Sequence, residues 1–239
     1  KSYINKARKL YILKQKYFGS VKNLTIITPS KWLFNLVKQS HLKNYPSKVI
    51  YNGIDLSVFY PRKDDLIYTK YNIPKDKKII LSVSFGWPEY KGYFYIEKLR
   101  MLLSDDYLIL VVGQEKRYEK KGIQCIEKTY NQDDLAKIYS IANVFFNPTL
   151  QEVLGMVNIE ALACGTPVVA FNTGGVPEIV DRYCGRIIES KDMEEVRKNI
   201  EYFCNYGDSA FLANACVNRA KTFNEKDKYK EYLELYENI

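Results

Sequence analysis

Short apolar runs that alternate with helical stretches constrain this 239-residue chain more than any other feature. Ile79–Ser84 and Tyr107–Val112 are near-continuous apolar runs, without the polar alternation of a half-exposed strand. Strands of that kind are buried on both faces, which is typical of parallel sheets covered by helices. The predicted strands are Leu24–Thr28, Lys48–Tyr51, Ile79–Ser84, Tyr107–Val112, Ile123–Ile126, Val144–Asn147, Pro167–Phe171 and Gly185–Ile188. We therefore predict an α/β fold with a parallel sheet.

The segments between these strands carry helical patterns with the expected start and stop residues. Ser30 is placed to cap a helix, and Gly165 with Pro167 ends the predicted helix Asn158–Cys164. Asn52-Gly53 opens a stretch that we interpret as a linker. The other predicted helices are Lys91–Leu103, Gln132–Ser140, Asp192–Asn205, Ser209–Ala220 and Lys226–Tyr236.

Charge divides the chain near residue 50. Of the 36 Lys and Arg, eleven lie in residues 1–50, where none of the 28 Asp and Glu lies. Such a break suggests two structural units with different partners. The basic stretch suits an anionic lipid surface or a phosphorylated ligand, and the alternative is the solvated face of an ordinary domain. It carries no nucleic-acid-binding signature, so we expect no nucleic-acid partner.

Several kinds of chemistry are excluded by what the sequence lacks. His41, the single histidine, lies in the basic stretch with no acid and hydroxyl constellation nearby, which excludes a Ser–His–Asp triad and a multi-histidine metal site. No G-x-G-x-x-G follows a strand, which weighs against dinucleotide redox chemistry, and no P-loop motif is present. No apolar run reaches the ~18 residues of a membrane span. The five cysteines form no C-x-x-C pair, and we expect buried free thiols.

The segment Pro148–Glu160 carries the strongest indication of chemistry. It follows a predicted strand and leads into a helix, and ligands of parallel sheets bind beyond the carboxyl ends of the strands. Gly155 has no Cβ, so its backbone can approach a ligand closely. A helix N-terminus offers unpaired N–H groups and a positive dipole end, which together bind phosphate. The free donors predicted there are the amides of Met156, Val157 and Asn158.

Two carboxylates, Glu152 and Glu160, flank this predicted phosphate cradle. Carboxylates repel phosphate but accept hydrogen bonds from hydroxyl groups. Hydroxyl groups on either side of a diphosphate describe a nucleotide sugar. The spacing alone leaves open that both residues are ordinary surface charges.

The two acids form an E-x7-E motif, and the run Glu152–Ala170 resembles the signature of the retaining nucleotide-sugar glycosyltransferases of family 4. Members of that family have the GT-B fold of two Rossmann-like domains. Further segments resemble family blocks in the same order, namely Thr28–Leu33, Val49–Asp55 and Asn172–Val180. The resemblance covers almost the whole chain.

The resemblance implies an α/β fold of GT-B type, with a Rossmann-like parallel sheet flanked by helices and a truncated piece of a second Rossmann-like domain. Residues 1–52 are expected to be the end of the N-terminal, acceptor-side domain with the crossover. Residues 53–222 are expected to form the donor-binding domain, and residues 223–239 a terminal helix that returns toward the N-terminal domain. Because the sequence opens on Lys1, we expect a piece of a longer chain.

The resemblance also implies a function. The expected reaction transfers a sugar from a UDP-, GDP- or ADP-sugar to a glycan or lipid-linked acceptor with retention of configuration, as in polysaccharide biosynthesis. No cofactor and no essential metal are expected. The resemblance leaves open whether the fragment is active without the rest of its N-terminal domain. Two alternatives are a non-catalytic nucleotide-sugar-binding module and a phosphatase- or epimerase-like enzyme. We expect a cytoplasmic location and leave open a peripheral contact with the inner face of an anionic membrane.

The resemblance assigns roles to particular residues. Glu152 is expected to contact the donor sugar and Lys91 to neutralise the diphosphate, and these two are the predicted catalytic residues. Glu160 is expected to accept hydrogen bonds from the ribose hydroxyls. The remaining predicted donor-binding residues are Gly155, Met156, Val157, Gly86, Gly113 and Thr129.

The sequence departs from the family pattern at two places. An arginine usually accompanies the lysine, but its approximate place here holds Phe85 or Gly86, and the loss of such a charge-assisted contact costs ~1.5–3 kcal/mol. Val153 stands where the family usually has glycine. The next candidate cations for the diphosphate are Lys116 and Arg117.

Overall fold

The computed structural model describes residues 6–62, 64–189, 191–206 and 210–238. The chain divides into two compact units, residues 1–51 and residues 52–239. Within the described ranges, no helix combines the length and the apolar character that crossing a membrane requires. Lys1 of the basic stretch and Ser209, the predicted start of a helix, lie outside the described residues.

The smaller unit, which we call the basic unit, brings two short strands together in parallel. Its described elements are α1 (Ala7–Gly19), β1 (Ile26–Thr28), α2 (Lys31–Lys38) and β2 (Ser47–Val49). The Ser30 side chain accepts a hydrogen bond of 3.2 Å from the amide of Leu33, which confirms the predicted cap of α2. Both strands are shorter than their predicted runs.

The larger unit is built on a six-stranded sheet in which every neighbouring pair is parallel. Its strands are β3 (Lys78–Val83), β4 (Tyr107–Val112), β5 (Ile123–Ile126), β6 (Val144–Asn147), β7 (Val168–Phe171) and β8 (Gly185–Ile188). Their order across the sheet is β5-β4-β3-β6-β7-β8. This confirms the predicted parallel α/β fold. The order reverses at β3, which pairs with β4 on one side and β6 on the other, so the topological switch point lies between β3 and β6. Sheets of this kind bind their ligands at such a point.

Helices cover the sheet, and all six residues of β4 are buried. The described helices of this unit are α3 (Leu66–Lys70), α4 (Tyr93–Leu102), α5 (Gln132–Ile141), α6 (Met156–Ala163), α7 (Met193–Tyr206), α8 (Ala210–Lys221) and α9 (Glu225–Glu237). Ile96 of α4 and Ile200 of α7 share a buried cluster with Val111 of β4. All five cysteines are free and buried, which confirms the predicted thiols, and burial raises the pKa of Cys164 to about 12.

Two helices that border the predicted site begin elsewhere than the sequence suggests. α4 begins two residues later than predicted, because Gly92 before it has a left-handed backbone (φ 78°). Lys91 therefore stands in a short 3-10 turn and not in the helix. α6 begins two residues before the predicted Asn158, directly after the left-handed Gly155 (φ 91°). α3 was not predicted, because five residues are too few for a helical pattern to show.

The start of the larger unit is tied to the residues at the start of α9. The amide of Ile54 donates to the carbonyl of Phe223 at 2.8 Å, and the amide of Glu225 donates back to Ile54 at 3.0 Å. Gly53 permits this approach, because a Cβ there would lie 2.3 Å from the Cα of Glu225. This part of the predicted linker is therefore anchored to the larger unit.

The loops that follow β3 and β4 touch through their backbones at the carboxyl edge of the sheet. Gly113 has φ 84°, and a Cβ added there would lie 1.7 Å from the carbonyl oxygen of Ser84. Gly86 also has a positive φ of 90°, but a Cβ added there would meet nothing within 4 Å. The two glycines therefore separate the effect of backbone strain from the effect of a clash.

We expect Gly86→Ala to lower the free energy of unfolding by about 1 kcal/mol, the cost of a left-handed alanine. Gly113→Ala should lower it by at least about 2 kcal/mol, since the loop must also move away from Ser84. Urea titration of both variants measures the difference. Equal losses in the two variants would contradict the clash at Gly113.

Candidate functional site

Lys91 and Glu152 meet at the switch point of the sheet. Lys91 follows β3 and Glu152 follows β6, and the Lys91 Nζ lies 2.9 Å from Glu152 Oε2. Their side chains are 26% and 18% exposed, so the ion pair is partly shielded yet open to a ligand. The sequence placed these residues on separate loops, and the structure brings them into one ion pair.

The loops that carry this ion pair are packed backbone against backbone. The amide of Leu150 donates to the carbonyl of Tyr90 at 2.7 Å. Gly92 lies against Pro148, and a Cβ at Gly92 would be 2.2 Å from the Pro148 carbonyl oxygen. The neighbours of Lys91 and of Glu152 are therefore fixed to each other, which sets the distance between the two charged groups.

A third loop, which follows β7, supports Glu152 from another side. Gly174 has φ 56°, and a Cβ there would lie 1.6 Å from the carbonyl oxygen of Glu152. The Thr173 hydroxyl donates to the carbonyl of Thr149 at 3.0 Å. Gly174 is not among the predicted site residues, although the Gly-Gly pair in the block Asn172–Val180 is a sequence signal for it.

The N-terminus of α6 supplies N–H donors beside Glu152. The amides of Met156 and Val157 have no acceptor among the described residues, as expected for the first turn of a helix. The amide of Asn158 was predicted to be a third free donor, and this was wrong, because it donates to the carbonyl of Gly155 at 3.0 Å. The tight first turn that follows the left-handed glycine closes that bond.

The side chain of Asn158 adds a donor that is not among the predicted site groups. Asn158 is fully buried, and its Oδ1 accepts a hydrogen bond of 2.9 Å from the side chain of Asn147. Its Nδ2 has no partner among the described residues. That nitrogen lies 2.6 Å from where a Cβ of Gly155 would be, so only glycine fits beside it.

Glu160 lies further along α6 in a different environment from that of Glu152. The hydroxyl of Tyr139, on α5, donates to Glu160 Oε2 at 2.9 Å. Burial raises the pKa of Glu160, and the hydrogen bond from Tyr139 opposes that rise. The two acids of the motif thus differ in their partners. Glu152 is paired with the ammonium of Lys91, whereas Glu160 accepts a hydrogen bond from the neutral phenol of Tyr139.

The other predicted residues lie on the same edge of the sheet. Gly113 follows β4, and its amide donates to the carbonyl of Ile126 at 2.8 Å. Thr129 follows β5, and no contact among the described residues joins it to Lys91 or Glu152. Phe85, near the expected place of the missing arginine, is fully exposed.

The next candidate cations, Lys116 and Arg117, lie in a short turn that follows β4, where Arg117 pairs with Glu115 at 2.9 Å. Across the described part of the chain, no group of three His, Cys, Asp or Glu side chains is arranged to hold a metal ion. Among the described residues, the cation that forms an ion pair with Glu152 is Lys91.

The fold and the site together define an α/β domain whose switch point holds a helix N-terminus, the ammonium of Lys91 and the carboxylate of Glu152, with Glu160 further along the same helix. The sequence profile of the family Glycosyl transferases group 1 matches residues 64–223. The chain belongs to this family.

A named relative agrees with that assignment. Alpha-maltose-1-phosphate synthase of Mycolicibacterium smegmatis is 27% identical over 163 residues, which cover 58% of this chain and 42% of that protein. The chain therefore spans less than half the length of this relative.

Two solved structures share the fold. Sucrose-phosphate synthase from Thermosynechococcus elongatus superposes with a TM-score of 0.81 at 21% identity, over 99% of this chain and 64% of that one. Anabaena HepE, in complex with UDP and glucose, superposes with a TM-score of 0.81 at 16% identity, over 98% of this chain and 68% of that one. At these identities the likeness concerns the fold, and it confirms the predicted GT-B type.

Proposed function

We propose that the larger unit binds a nucleotide-sugar donor, and that the whole protein transfers the sugar to a glycan or lipid-linked acceptor with retention of configuration, as family 4 glycosyltransferases do. The observation that carries the proposal is the cluster at the start of α6. The two amides that have no acceptor among the described residues, the ammonium of Lys91 and the carboxylate of Glu152 converge there.

The chemistry follows from where charge develops. Breaking a sugar–phosphate bond leaves additional negative charge on the departing diphosphate. The amides of Met156 and Val157, the positive end of the α6 dipole and the Lys91 ammonium would stabilise that charge, which lowers the barrier. These groups belong to the chain itself, so the proposed step draws on no cofactor.

The ion pair gives Lys91 and Glu152 linked roles. Without donor, each neutralises the other at 2.9 Å. With donor bound, we propose that the ammonium turns to the diphosphate and the carboxylate accepts hydrogen bonds from the sugar hydroxyls. Glu160, at the far side of the cradle, would accept from the ribose hydroxyls.

The comparisons support a nucleotide-sugar ligand. HepE is described in complex with UDP and glucose, and another structure of it in complex with UDP-glucose. The most direct test is a binding screen of the protein with UDP-, GDP- and ADP-glucose, followed by transfer assays with radiolabelled donors. Failure to bind any of the three would overturn the proposal.

We also propose that the basic unit contacts an anionic membrane surface. Its ten described Lys and Arg are all exposed. Helix α1 buries none of its residues and also exposes apolar side chains, including Leu10, Ile12 and Phe18. Exposed cations beside apolar side chains are what an anionic lipid surface attracts, at about 1 kcal/mol per cation.

Glu160→Ala should weaken binding of the nucleoside diphosphate by about tenfold to a hundredfold, because it removes hydrogen bonds to a charged acceptor. Glu152→Ala should change that affinity by less than about threefold and instead impair transfer, since Glu152 is assigned to the sugar. Calorimetry with UDP, GDP and ADP measures the first effect, with Glu237→Ala as the control. Equal losses of diphosphate affinity in both variants would contradict this division of roles.

Lys91→Ala should lower the affinity for a nucleoside diphosphate by about tenfold and that for the monophosphate by much less, because Lys91 is assigned to the distal phosphate. Competition binding with UDP against UMP, and with the guanine and adenine pairs, measures the ratio. Lys116→Ala is the matched comparison. Normal diphosphate binding by Lys91→Ala, with a loss in Lys116→Ala, would move the assignment to the turn after β4.

The protein should sediment with vesicles that contain anionic lipid at low salt and be released as salt rises, since exposed charges are screened within about 10 Å at 0.1 M. Replacing Lys9, Lys14 and Lys16 of α1 by Gln should weaken this binding. The matched control replaces three exposed lysines of the larger unit, Lys116, Lys128 and Lys198. Equal binding to neutral and anionic vesicles would contradict the membrane proposal, and tight binding to duplex DNA at physiological salt would replace it.

A further inference from the structure

Tyr139 is a fully buried tyrosine whose hydroxyl reaches one oxygen of Glu160. The hydroxyl donates to Glu160 Oε2 at 2.9 Å, from one helix to the next. A carboxylate has about four acceptor positions on its two oxygens. One is taken by the phenol, so the other oxygen and its lone pairs stay available to a ligand.

The phenol itself is held in place on several sides. The ring of Phe59 lies 6.4 Å from it and the ring of Phe145 lies 5.5 Å from it, both in edge-to-face geometry. The Thr166 hydroxyl donates to the backbone carbonyl of Tyr139 at 2.6 Å. A side chain fixed this firmly presents its hydroxyl at one position, and it therefore orients the carboxylate that it contacts.

We infer that Tyr139 is a positioning residue that holds Glu160 in the orientation required to accept both ribose hydroxyls of the donor. The inference rests on the proposed function, in which Glu160 binds the ribose. Two neighbouring hydroxyls can both donate to one carboxylate only when its plane is aligned with them. The bond from Tyr139 fixes that plane and supplies the polar partner that a partly buried carboxylate needs.

The charges around Glu160 support this role. Two titratable groups act on Glu160 or are acted on by it: the Tyr139 hydroxyl on α5 and the thiol of Cys164, the residue directly after α6. Burial raises the pKa of Tyr139 well above its usual value and that of Cys164 to about 12, so both groups stay neutral while Glu160 titrates. Burial raises the pKa of Glu160, and the phenol opposes that rise.

The sign of the pH effect follows. Removing the phenol hydroxyl leaves burial unopposed, which raises the pKa of Glu160 further. Protonated Glu160 accepts hydrogen bonds less well, so ribose-dependent affinity in Tyr139→Phe should fall away at a higher pH than in the wild type. Phosphate groups titrate in the same range, but they do so equally in a ligand that lacks the ribose hydroxyls.

The test is calorimetry on the whole protein across the acid range. The ligands are UDP, GDP and ADP, each beside its 2′,3′-dideoxy form. Tyr139→Phe should reduce the preference for the ribose form over the dideoxy form by about threefold or more, and it should leave the affinity for the dideoxy form unchanged. As the pH falls, the variant should lose this preference at a higher pH than the wild type does. In a Glu160→Gln background, which has no carboxylate to orient, Tyr139→Phe should not alter the preference.

Tyr71→Phe is the matched control, because its hydroxyl also donates to a carboxylate, that of Asp134, at 2.9 Å. It should leave the preference intact. If the wild type does not distinguish ribose from dideoxyribose, the proposed role of Glu160 fails and takes this inference with it. If the wild type does distinguish them and Tyr139→Phe lowers both affinities equally, or changes neither the preference nor its pH dependence, then the inference about Tyr139 alone is overturned.

Discussion

Parallel pairing of six short, buried strands forces all their carboxyl ends to one edge of the sheet, and the candidate site depends on that constraint. β3 lies in the middle of the order, between β4 and β6. Residues 61 positions apart in the chain, Lys91 and Glu152, therefore come within 2.9 Å of each other. No local preference of either loop could produce that contact, because it arises only when the sheet is assembled.

Glycines with a left-handed backbone then allow the neighbouring loops to pack in direct contact. A Cβ at Gly92 or at Gly174 would fall within 2.2 Å of a carbonyl oxygen on the loop between β6 and α6. Because neither residue has one, the loops after β3 and β7 close on that central loop from two sides. Gly155 serves a different purpose, since its positive φ ends the loop and starts α6 with two amides that have no acceptor among the described residues. The backbone, as much as the charged side chains, shapes the candidate cradle.

Most strands and helices of the larger unit could be predicted from the sequence, and both the correct and the wrong predictions have physical reasons. The strands of the larger unit were predicted closely because burial on both faces demands continuous apolar runs, as in Tyr107–Val112. The predicted starts of α4 and α6 were wrong by two residues. Each helix begins directly after a glycine with positive φ, and the residue type alone does not tell whether a glycine has positive or negative φ. Tyr139 was missed as a partner of Glu160 because it is 21 positions away, on another helix. The roles of Glu152, Glu160 and Lys91 toward a ligand stay predictions.

The paired hydrogen bonds of Ile54 have a mechanical consequence. They join the segment by which the chain enters the larger unit to the segment from which α9 departs. The two segments therefore cannot be displaced relative to each other without breaking both bonds. Gly53 allows the two segments to lie this close, because a side chain there would push them apart. Two segments that lie far apart in the sequence are thus held together at one point of the larger unit.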